Sequence, residues 1–225
     1  MHYCVKTGKP AWGHVHGAEA FDYFADNEEE SEIFNRAMTD LSVAAAPAVV
    51  EAYDFSEVGT LVDVAGGHGY LLAQVLKANP HIKGTLFDLP QVIAGAGLLL
   101  EKEGVSQRVE QVAGDFFDSV PEGADAYMMK HIIHDWDDDR SVRLLNNIRA
   151  AMPLGGKVLI VETVVPEGNE PHYSKLMDLG MLVMPGGLER TAQEYRALLA
   201  ESGLELNRII PTRSSLSIIE AVIGN

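Results

Sequence analysis

The segment MMKHIIHDWDDDR, residues 128–140, gathers side chains that can exchange protons or bind a metal ion. His131 and His134 stand three residues apart, and four aspartates and an arginine follow them. Histidine changes its charge near neutral pH and is a common metal ligand, so the segment fits a proton-transfer site or a metal site. It also fits a solvated helix start, because aspartates stabilise the positive end of a helix dipole. The letters of this segment do not choose among the three interpretations.

The composition disfavours several classes of protein. The chain has 225 residues, 33 of them acidic and 17 basic, which gives a net charge of −16. Such a surface repels phosphate backbones, so we expect no nucleic-acid partner. No apolar run reaches the length of a membrane span, and the N-terminus lacks the apolar core of a signal peptide. A single cysteine, Cys4, excludes an internal disulfide and is typical of a reducing compartment, which favours the cytoplasm and no membrane partner.

Short apolar strands alternate with helical patterns after Val58. The predicted strands are residues 60–66, 83–89, 108–114, 125–131 and 156–163, and the predicted helices are 69–79, 90–101 and 138–152. This alternation is typical of βαβ units and predicts an α/β fold with a mostly parallel sheet covered on both faces. A last helix at 191–202 precedes two strands in a row, which predicts a terminal hairpin that adds an antiparallel strand.

The part of the chain before the sheet divides into two stretches. Residues 1–16 are expected to form an irregular leader, whereas residues 17–57 have a helical pattern. Within it, Phe34, Met38 and Leu41 recur at spacings of four and three, which places them on one helix face. That face is either buried core or the wall of a pocket.

The stretch LVDVAGGHGYLLAQVL, residues 61–76, is typical of a strand, a glycine-rich turn and a helix. Glycines let a ligand approach the backbone, and the helix N-terminus offers free N–H groups to an anion. The dinucleotide fingerprint fails because Leu72 stands where its third glycine should be, and no P-loop lysine follows. With Asp63 near the end of the strand, the turn suits a ligand with an amino-acid moiety better than a pyrophosphate.

Carboxylates also end the next two predicted strands. Asp88 stands 21 residues after Gly67, where it could accept hydrogen bonds from both ribose hydroxyls of a nucleoside. Asp115 could accept from an adenine amino group while Phe116 lies against the ring. An aspartate at a strand end is often only a helix cap. Three aspartates in register, Asp63, Asp88 and Asp115, at the carboxyl ends of consecutive strands favour a ligand crevice.

Several motifs together resemble one family, the S-adenosylmethionine-dependent O-methyltransferases of the caffeic acid and hydroxyindole type. The motifs are LVDVAGGHG, GTLFDLP, VAGDFFDSVPEGADAYMMKHIIHDWDDD, GGKVLIVETVVPEG and GGLERTAQEY, and the resemblance runs from about Phe21 to Val222. It implies a class I methyltransferase fold, a Rossmann-like seven-stranded, mostly parallel sheet with an antiparallel terminal strand. It also implies that residues 17–57 form helices that lid the site and that residues 58–225 bind S-adenosyl-L-methionine.

The same resemblance implies two sets of binding residues. The cofactor set is Ser42, Gly66, Gly67, Asp88, Leu89, Gly114, Asp115, Phe116 and Lys130, and the acceptor set is Phe34, Met38, Asp135, Met181 and Met184. One departure is Ala65, where the family usually has a third consecutive glycine and where a methyl group would crowd the cofactor. Leu41 and Met184 replace polar residues of some relatives, which favours a more apolar acceptor or one oriented by fewer hydrogen bonds.

For the histidine segment, the resemblance implies that His134 is the catalytic base and that Glu162 and Glu189 flank and orient it. Methyl transfer to a hydroxyl needs an oriented acceptor and removal of its proton. His131 has no matching role and is interpreted as a packing residue or backbone partner. We expect no metal, because Mg²⁺ prefers carboxylates and histidines would be unusual ligands. The aspartates 137–139 are expected to open the following helix.

The expected reaction is methyl transfer to a hydroxyl, phenolic in character, of a small aromatic molecule in natural-product biosynthesis. Metal-dependent or N-directed methyl transfer and a non-catalytic cofactor-binding subunit are the alternatives. Relatives carry an N-terminal helical domain that makes a dimer, and this chain starts about where that domain should end. A homodimer therefore stays open, as do the acceptor's identity and whether the chain is a fragment, a truncated product or a minimal form.

Overall fold

The computed structural model describes residues 1–224. Its strands are β1 (Thr60–Val64), β2 (Lys83–Asp88), β3 (Val109–Ala113), β4 (Ala126–Lys130), β5 (Lys157–Glu162), β6 (Val164–Val165), β7 (Arg190–Thr191), β8 (Leu204–Pro211) and β9 (Ser217–Ile223). Its α-helices are α1 (His2–Thr7), α2 (Ala11–His16), α3 (Ala20–Asp26), α4 (Glu28–Ala52), α5 (Tyr70–Ala78), α6 (Pro90–Lys102), α7 (Asp138–Ala151), α8 (Tyr173–Val183) and α9 (Ala192–Glu201). Short 3₁₀ helices lie at Ser106–Arg108 and Ile133–Asp135.

The main sheet has seven strands in the order β3-β2-β1-β4-β5-β9-β8. The first five strands run parallel, and β9 lies antiparallel to both β5 and β8. This arrangement confirms the predicted class I methyltransferase fold. The strand order reverses between β1 and β4, and in open α/β sheets a crevice for ligands lies outside the carboxyl ends of the strands at such a point.

The central strands β1, β4 and β5 are buried on both faces of the sheet and are nearly continuous apolar runs. Leu61 and Met128 pack into one core cluster with residues of α4 and α5. Their neighbours Val62 and Tyr127 pack into a second cluster with residues of α7 and α9. Packing of helices against both faces holds β1 and β4 in place, so their carboxyl ends lie at the same edge of the sheet.

The first sixteen residues correct one expectation. Residues 1–16 form α1 and α2 rather than an irregular leader. Cys4 is buried, and Trp12 stacks on His16 with ring centroids 4.3 Å apart and also contacts Tyr23 and Phe24 of α3. The contacts of Trp12 with α3 join two helices, so the apolar periodicity of a single helix does not predict them. The domain boundaries and the lid role of residues 17–57 stay predictions.

Three further elements, α8, β6 and β7, were not predicted. Helix α8 begins after His172, whose Nδ1 accepts a hydrogen bond from the Ser174 N–H. Strands β6 and β7 form a separate two-stranded parallel sheet. Within residues 1–224, no helix has the length and apolar character needed to cross a bilayer.

The glycine-rich turn after β1 contains backbone that glycine prefers. Gly67 and Gly69 have φ angles of 61° and 81°, and Ala65 has a φ of 52°. In this left-handed region a Cβ atom crowds the following carbonyl, which costs roughly 1–2 kcal/mol for a residue other than glycine. The departure from the family pattern at Ala65 is therefore a strained position.

The strain at Ala65 predicts that Ala65→Gly stabilises the fold. We expect a gain of up to about 1 kcal/mol in the free energy of unfolding, since relief of strain exceeds the entropy that glycine adds to the unfolded chain. Urea unfolding at pH 7 measures it. The control is Ala44→Gly in the exposed part of α4, which should lose about 1 kcal/mol because the backbone there is helical. Equal losses in the two variants would contradict strain at Ala65.

Candidate functional site

The candidate site lies where β1 and β4 end side by side. Asp63 of β1 pairs with Met128 of β4, so the turn after β1 and the segment after β4 leave the sheet at the same edge. The first carries the glycines and the second carries both histidines. A third segment, which precedes β7, brings Glu189 to the same place.

His134 is held in the 3₁₀ helix Ile133–Asp135 and is only 5% exposed. Its Nδ1 lies 2.8 Å from Oε1 of Glu189, and its Nε2 lies 3.6 Å from Oδ1 of Asp135. A carboxylate only accepts hydrogen bonds, so Nδ1 carries the proton toward Glu189. When the imidazole is neutral, Nε2 is then the nitrogen that can take up a proton.

The charges around His134 favour its protonated form. Burial lowers the pKa of His134, but the Glu189 hydrogen bond and the charges of Glu162 and Asp135 outweigh burial and raise that pKa to about 9. Burial also raises the pKa of the Asp135 carboxyl, to about 7, against the opposing charge of His134. His134 and Asp135 therefore both titrate between about pH 7 and pH 9.

Glu162 contacts the backbone of the histidine segment rather than the imidazole. Its Oε1 accepts from the N–H groups of Ile132 at 2.9 Å and His134 at 3.2 Å, and its Oε2 accepts from the Tyr195 hydroxyl. The two acids expected to flank His134 thus act in different ways. Glu189 orients the ring, and Glu162 holds the chain that carries it.

Arg190 fixes the same segment from the other side and is fully buried. It donates to the carbonyl oxygens of Ile133 and Trp136, both at 3.0 Å, and to Oδ1 of Asp138 at 2.8 Å. These bonds tie Arg190 to the 3₁₀ helix, to the residue that follows it and to the first residue of α7. Arg190 adjoins Glu189 in sequence, so one segment sets both the partner of the ring and the path of the backbone.

Gly187 lets this segment approach closely. A Cβ atom at Gly187 would lie 2.0 Å from the carbonyl oxygen of His134 and 2.6 Å from the nitrogen of Trp136. Backbone atoms cannot yield as a flexible side chain would. The two segments are therefore in contact only because residue 187 has no side chain.

On the glycine side, Asp88 joins the predicted cofactor residues. Its Oδ2 accepts from the Gly67 N–H at 2.8 Å and its Oδ1 from the Leu89 N–H at 2.7 Å. The Gly114 N–H donates to the backbone oxygen of Asp88 at 3.0 Å. Burial raises the pKa of the Asp88 carboxyl to about 6, although the two N–H donors favour its charged form.

Asp63 is a buried carboxyl beneath the turn. Oδ2 of Asp63 is buried and has no hydrogen-bond partner among residues 1–224. Burial raises the pKa of Asp63 to about 7, while the positive charge of Lys130 opposes the shift; burial likewise lowers the pKa of Lys130. Gly66 sits against this carboxyl, since a Cβ there would lie 2.6 Å from Oδ2.

Three other predicted cofactor residues make no hydrogen bond to Asp88 or Asp63. Asp115 is exposed, and its Oδ1 accepts from the Phe117 N–H at 2.8 Å. Phe116 packs edge-on against Phe117 and Trp136, with centroids 4.6 Å and 6.1 Å away. Ser42 is buried and donates to the carbonyl oxygen of Met38 in α4 at 2.9 Å.

Aromatic rings connect the predicted acceptor residue Phe34 to the histidine segment. Phe34 stacks on Phe24 at 4.7 Å and meets Phe21 edge-on at 6.3 Å. Phe21 lies 5.3 Å from Trp136, which follows Asp135. Helices α3 and α4 are therefore linked through aromatic contacts to Trp136, two residues after His134.

The predicted acceptor methionines lie on two helices. Met38 is half-buried on α4, Met181 is buried near the end of α8, and Met184 is half-buried just after it. The chain from Met184 runs directly through Gly187 to Glu189. Within residues 1–224, no group of three or more His, Cys, Asp or Glu side chains is arranged to hold a metal ion.

Sequence reasoning did not assign Gly187, Arg190 or Tyr195. All three belong to the stretch GGLERTAQEY. In a polar stretch, Arg190 and Tyr195 would be predicted to lie on the surface, and only tertiary packing buries them. Their closeness in sequence to Glu189 was the one feature that could have indicated a role in the site.

Comparisons with known proteins show the family to which this chain belongs. A family model described as an O-methyltransferase domain matches residues 1–205. A phenazine O-methyltransferase, PhzM, of Lysobacter antibioticus is 46% identical over 217 residues, which cover 96% of this chain and 64% of that protein. The chain thus spans less than two thirds of the length of this relative.

Solved structures are similar over nearly the whole chain. The crystal structure of LaPhzM has a TM-score of 0.96 at 46% identity, and the alignment covers 98% of this chain and 67% of that one. The structure of NcsB1 from neocarzinostatin biosynthesis, in complex with S-adenosylmethionine and 2-hydroxy-5-methyl naphthoic acid, has a TM-score of 0.91 at 32% identity. That alignment covers 99% of this chain and 66% of NcsB1.

The close approach at Gly187 predicts that Gly187→Ala displaces residues 134–136. We expect a loss of about 1–3 kcal/mol or more in the free energy of unfolding, because the clash is with backbone. Urea unfolding measures it. Gly180→Ala in α8 is the matched control, since a Cβ there meets nothing within 4 Å and alanine favours a helix. A Gly187→Ala variant as stable as Gly180→Ala would contradict the packing described.

The raised pKa of His134 predicts a dependence of stability on pH. The folded protein holds the imidazole proton more tightly than the unfolded chain, so this stabilisation is complete below about pH 6.5 and disappears as pH rises through about 9. Glu189→Gln removes the main cause of the raised pKa. Between pH 6 and 10, wild type should therefore lose roughly 2–3 kcal/mol more unfolding free energy than this variant.

Urea unfolding at one-unit intervals of pH measures this difference. The control is Glu201→Gln at the exposed end of α9, whose stability should follow the wild-type curve. Parallel curves for wild type and Glu189→Gln would show that Glu189 does not hold the proton on His134.

Proposed function

Because this chain belongs to the O-methyltransferase domain family, we propose that it transfers a methyl group from S-adenosyl-L-methionine to a hydroxyl of a small aromatic molecule. The observation that carries the proposal is the buried hydrogen bond between Nδ1 of His134 and Glu189, at the carboxyl end of β4. A nucleophile–base–acid arrangement needs a base whose ring is oriented by a second group. His134 and Glu189 supply both.

The residues around the glycine turn fit the cofactor. A Cβ at Gly67 would meet nothing within 4 Å, so the backbone is open to a ligand there. Oδ2 of Asp63, which has no hydrogen-bond partner among residues 1–224, and the half-buried ammonium of Lys130 are groups that an amino-acid moiety could pair with. The complex of NcsB1 with S-adenosylmethionine supports this choice of cofactor.

The cofactor, when bound, supplies a methyl group activated by a positively charged sulfur. Asp88 would accept from the ribose hydroxyls, with Leu89 beside it. Asp115 and Phe116 would hold the adenine ring next to Gly114. Gly66, Gly67, Lys130 and Ser42 would surround the amino-acid end.

His134 acts as the general base in this proposal. A phenol has a pKa of about 10, so its oxygen needs a proton acceptor to become a good nucleophile. Only the neutral form of His134 can serve, and its fraction grows as pH rises toward 9. Nε2 of His134 takes that proton, and Glu189 at Nδ1 stabilises the imidazolium. Burial of the pair strengthens this stabilisation because water screens it little.

The acceptor would lie between the aromatic rings and the methionines. Phe34 and Met38 of α4 would cover one side of a flat ring, and Met181 and Met184 the other, while Asp135 would bind a polar substituent. Methionine side chains adapt to irregular aromatic shapes. NcsB1, crystallised with a hydroxylated naphthoic acid, supports a phenolic acceptor.

The first test is calorimetric titration with S-adenosylmethionine and S-adenosylhomocysteine. Asp88→Asn should weaken binding about tenfold or more, because hydrogen bonds to a charged group are worth roughly 1.5–3 kcal/mol. Asp118→Asn removes the same charge from an exposed site and is the control. A folded wild-type chain that binds neither compound would contradict the cofactor assignment.

The second test is methyl transfer to a panel of phenols. His134→Ala should lower kcat roughly 10²–10⁴-fold while its affinity for S-adenosylhomocysteine stays within about twofold of wild type. The exposed His81→Ala is the control. Cofactor binding without methyl transfer by wild type would favour a binding subunit, and transfer unaffected by His134→Ala would exclude His134 as the base.

A further inference from the structure

His131 has an unusual backbone conformation. Its φ is 57°, in the left-handed region that disfavours side chains, and its N–H donates to the carbonyl oxygen of Val161 at 3.3 Å. Such a conformation costs of order 1–3 kcal/mol and persists only where the surroundings enforce it. The conformation turns the side chain of His131 out of the strand direction of β4 and toward the following turn.

The ring of His131 stacks on the ring of His134. The centroids are 4.8 Å apart and the planes are inclined by 28°. Nδ1 of His131 is buried and has no hydrogen-bond partner among residues 1–224. The ring is thus placed by the backbone and by this stacking contact rather than by a polar bond at Nδ1.

The surroundings keep His131 uncharged. Burial lowers its pKa well below the ordinary value, and the charges of Lys130 and His134 lower it further. The other charged groups around the pair are Glu162 on β5, Glu189 before β7 and Asp135 in the same turn, and these act on His134. A neutral ring therefore lies against a ring that acquires positive charge.

We propose that His131 is a positioning residue for His134, a flat uncharged ring that fixes the plane of the base so that Nδ1 stays on Glu189 and Nε2 faces the acceptor. The hydrogen bond to Glu189 holds the Nδ1 edge of the imidazole, and the stacking contact supports the face of the ring against tilting away from that geometry. The inference rests on the proposed function for its kinetic consequence but not for its structural one.

Three variants separate the ring from its nitrogens. His131→Phe keeps a flat ring, His131→Leu fills similar space without one, and His131→Ala removes the contact; all keep a Cβ at the strained position. We expect kcat of His131→Phe within about threefold of wild type and a loss of roughly ten- to a hundredfold in the other two. Their affinity for S-adenosylhomocysteine should not change.

NMR of ¹⁵N-labelled histidines gives a readout that does not depend on activity. The Nδ1 proton of His134, hydrogen-bonded to Glu189, should give a sharp downfield signal in wild type and His131→Phe and a broadened or shifted one in His131→Leu and His131→Ala. Should wild type methylate no phenol, the proposed function fails while this signal still decides the role of His131. An unchanged signal in His131→Leu, or a loss of kcat in His131→Phe as large as in His131→Ala, would overturn the proposal.

Discussion

The hydrogen bond between His134 and Glu189 is the interaction on which the rest of the site depends. It joins the turn after β4 to the segment before β7, two parts of the chain 55 residues apart. Because it is buried, both backbones must reach it without leaving unpaired polar groups behind. Glu162 accepts from the N–H groups on one side, and Arg190 donates to the carbonyls on the other.

The same enclosure determines how protons are shared. Three carboxylates, Asp135, Glu162 and Glu189, surround one imidazole, and their charges raise its pKa although burial alone would lower it. Breaking a buried pair by removing one partner leaves an uncompensated charge, which is strongly destabilising. The ion pair between His134 and Glu189 therefore affects both the free energy of unfolding and the proton affinity of the imidazole. The rigid edge of the sheet supports the two segments that carry the pair.

The sheet could be predicted because buried parallel strands are apolar runs with carboxylates at their ends. The glycine turn and Asp88 were predicted for the same reason, since strand ends meet at one edge. The role of His134 was implied by the family resemblance instead. Helices α1, α2 and α8 could not be predicted, because aromatic contacts between helices and a histidine cap stabilise them rather than an apolar periodicity. Glu162 contacts the backbone instead of the imidazole, and Arg190 is buried. Both facts follow from the three-dimensional packing of segments, which the spacing of residues in the sequence does not reveal.

The most direct measurement is the pH dependence of kcat/KM for wild type and Glu189→Gln with one phenolic acceptor. A base with a pKa of about 9 is mostly protonated at neutral pH, so kcat/KM of wild type should rise toward pH 9 and then level off. Without the carboxylate, the rise should end at lower pH and reach a lower plateau. Identical profiles for the two proteins, or a profile that is flat between pH 6 and 9, would contradict the account of His134 as a base controlled by Glu189.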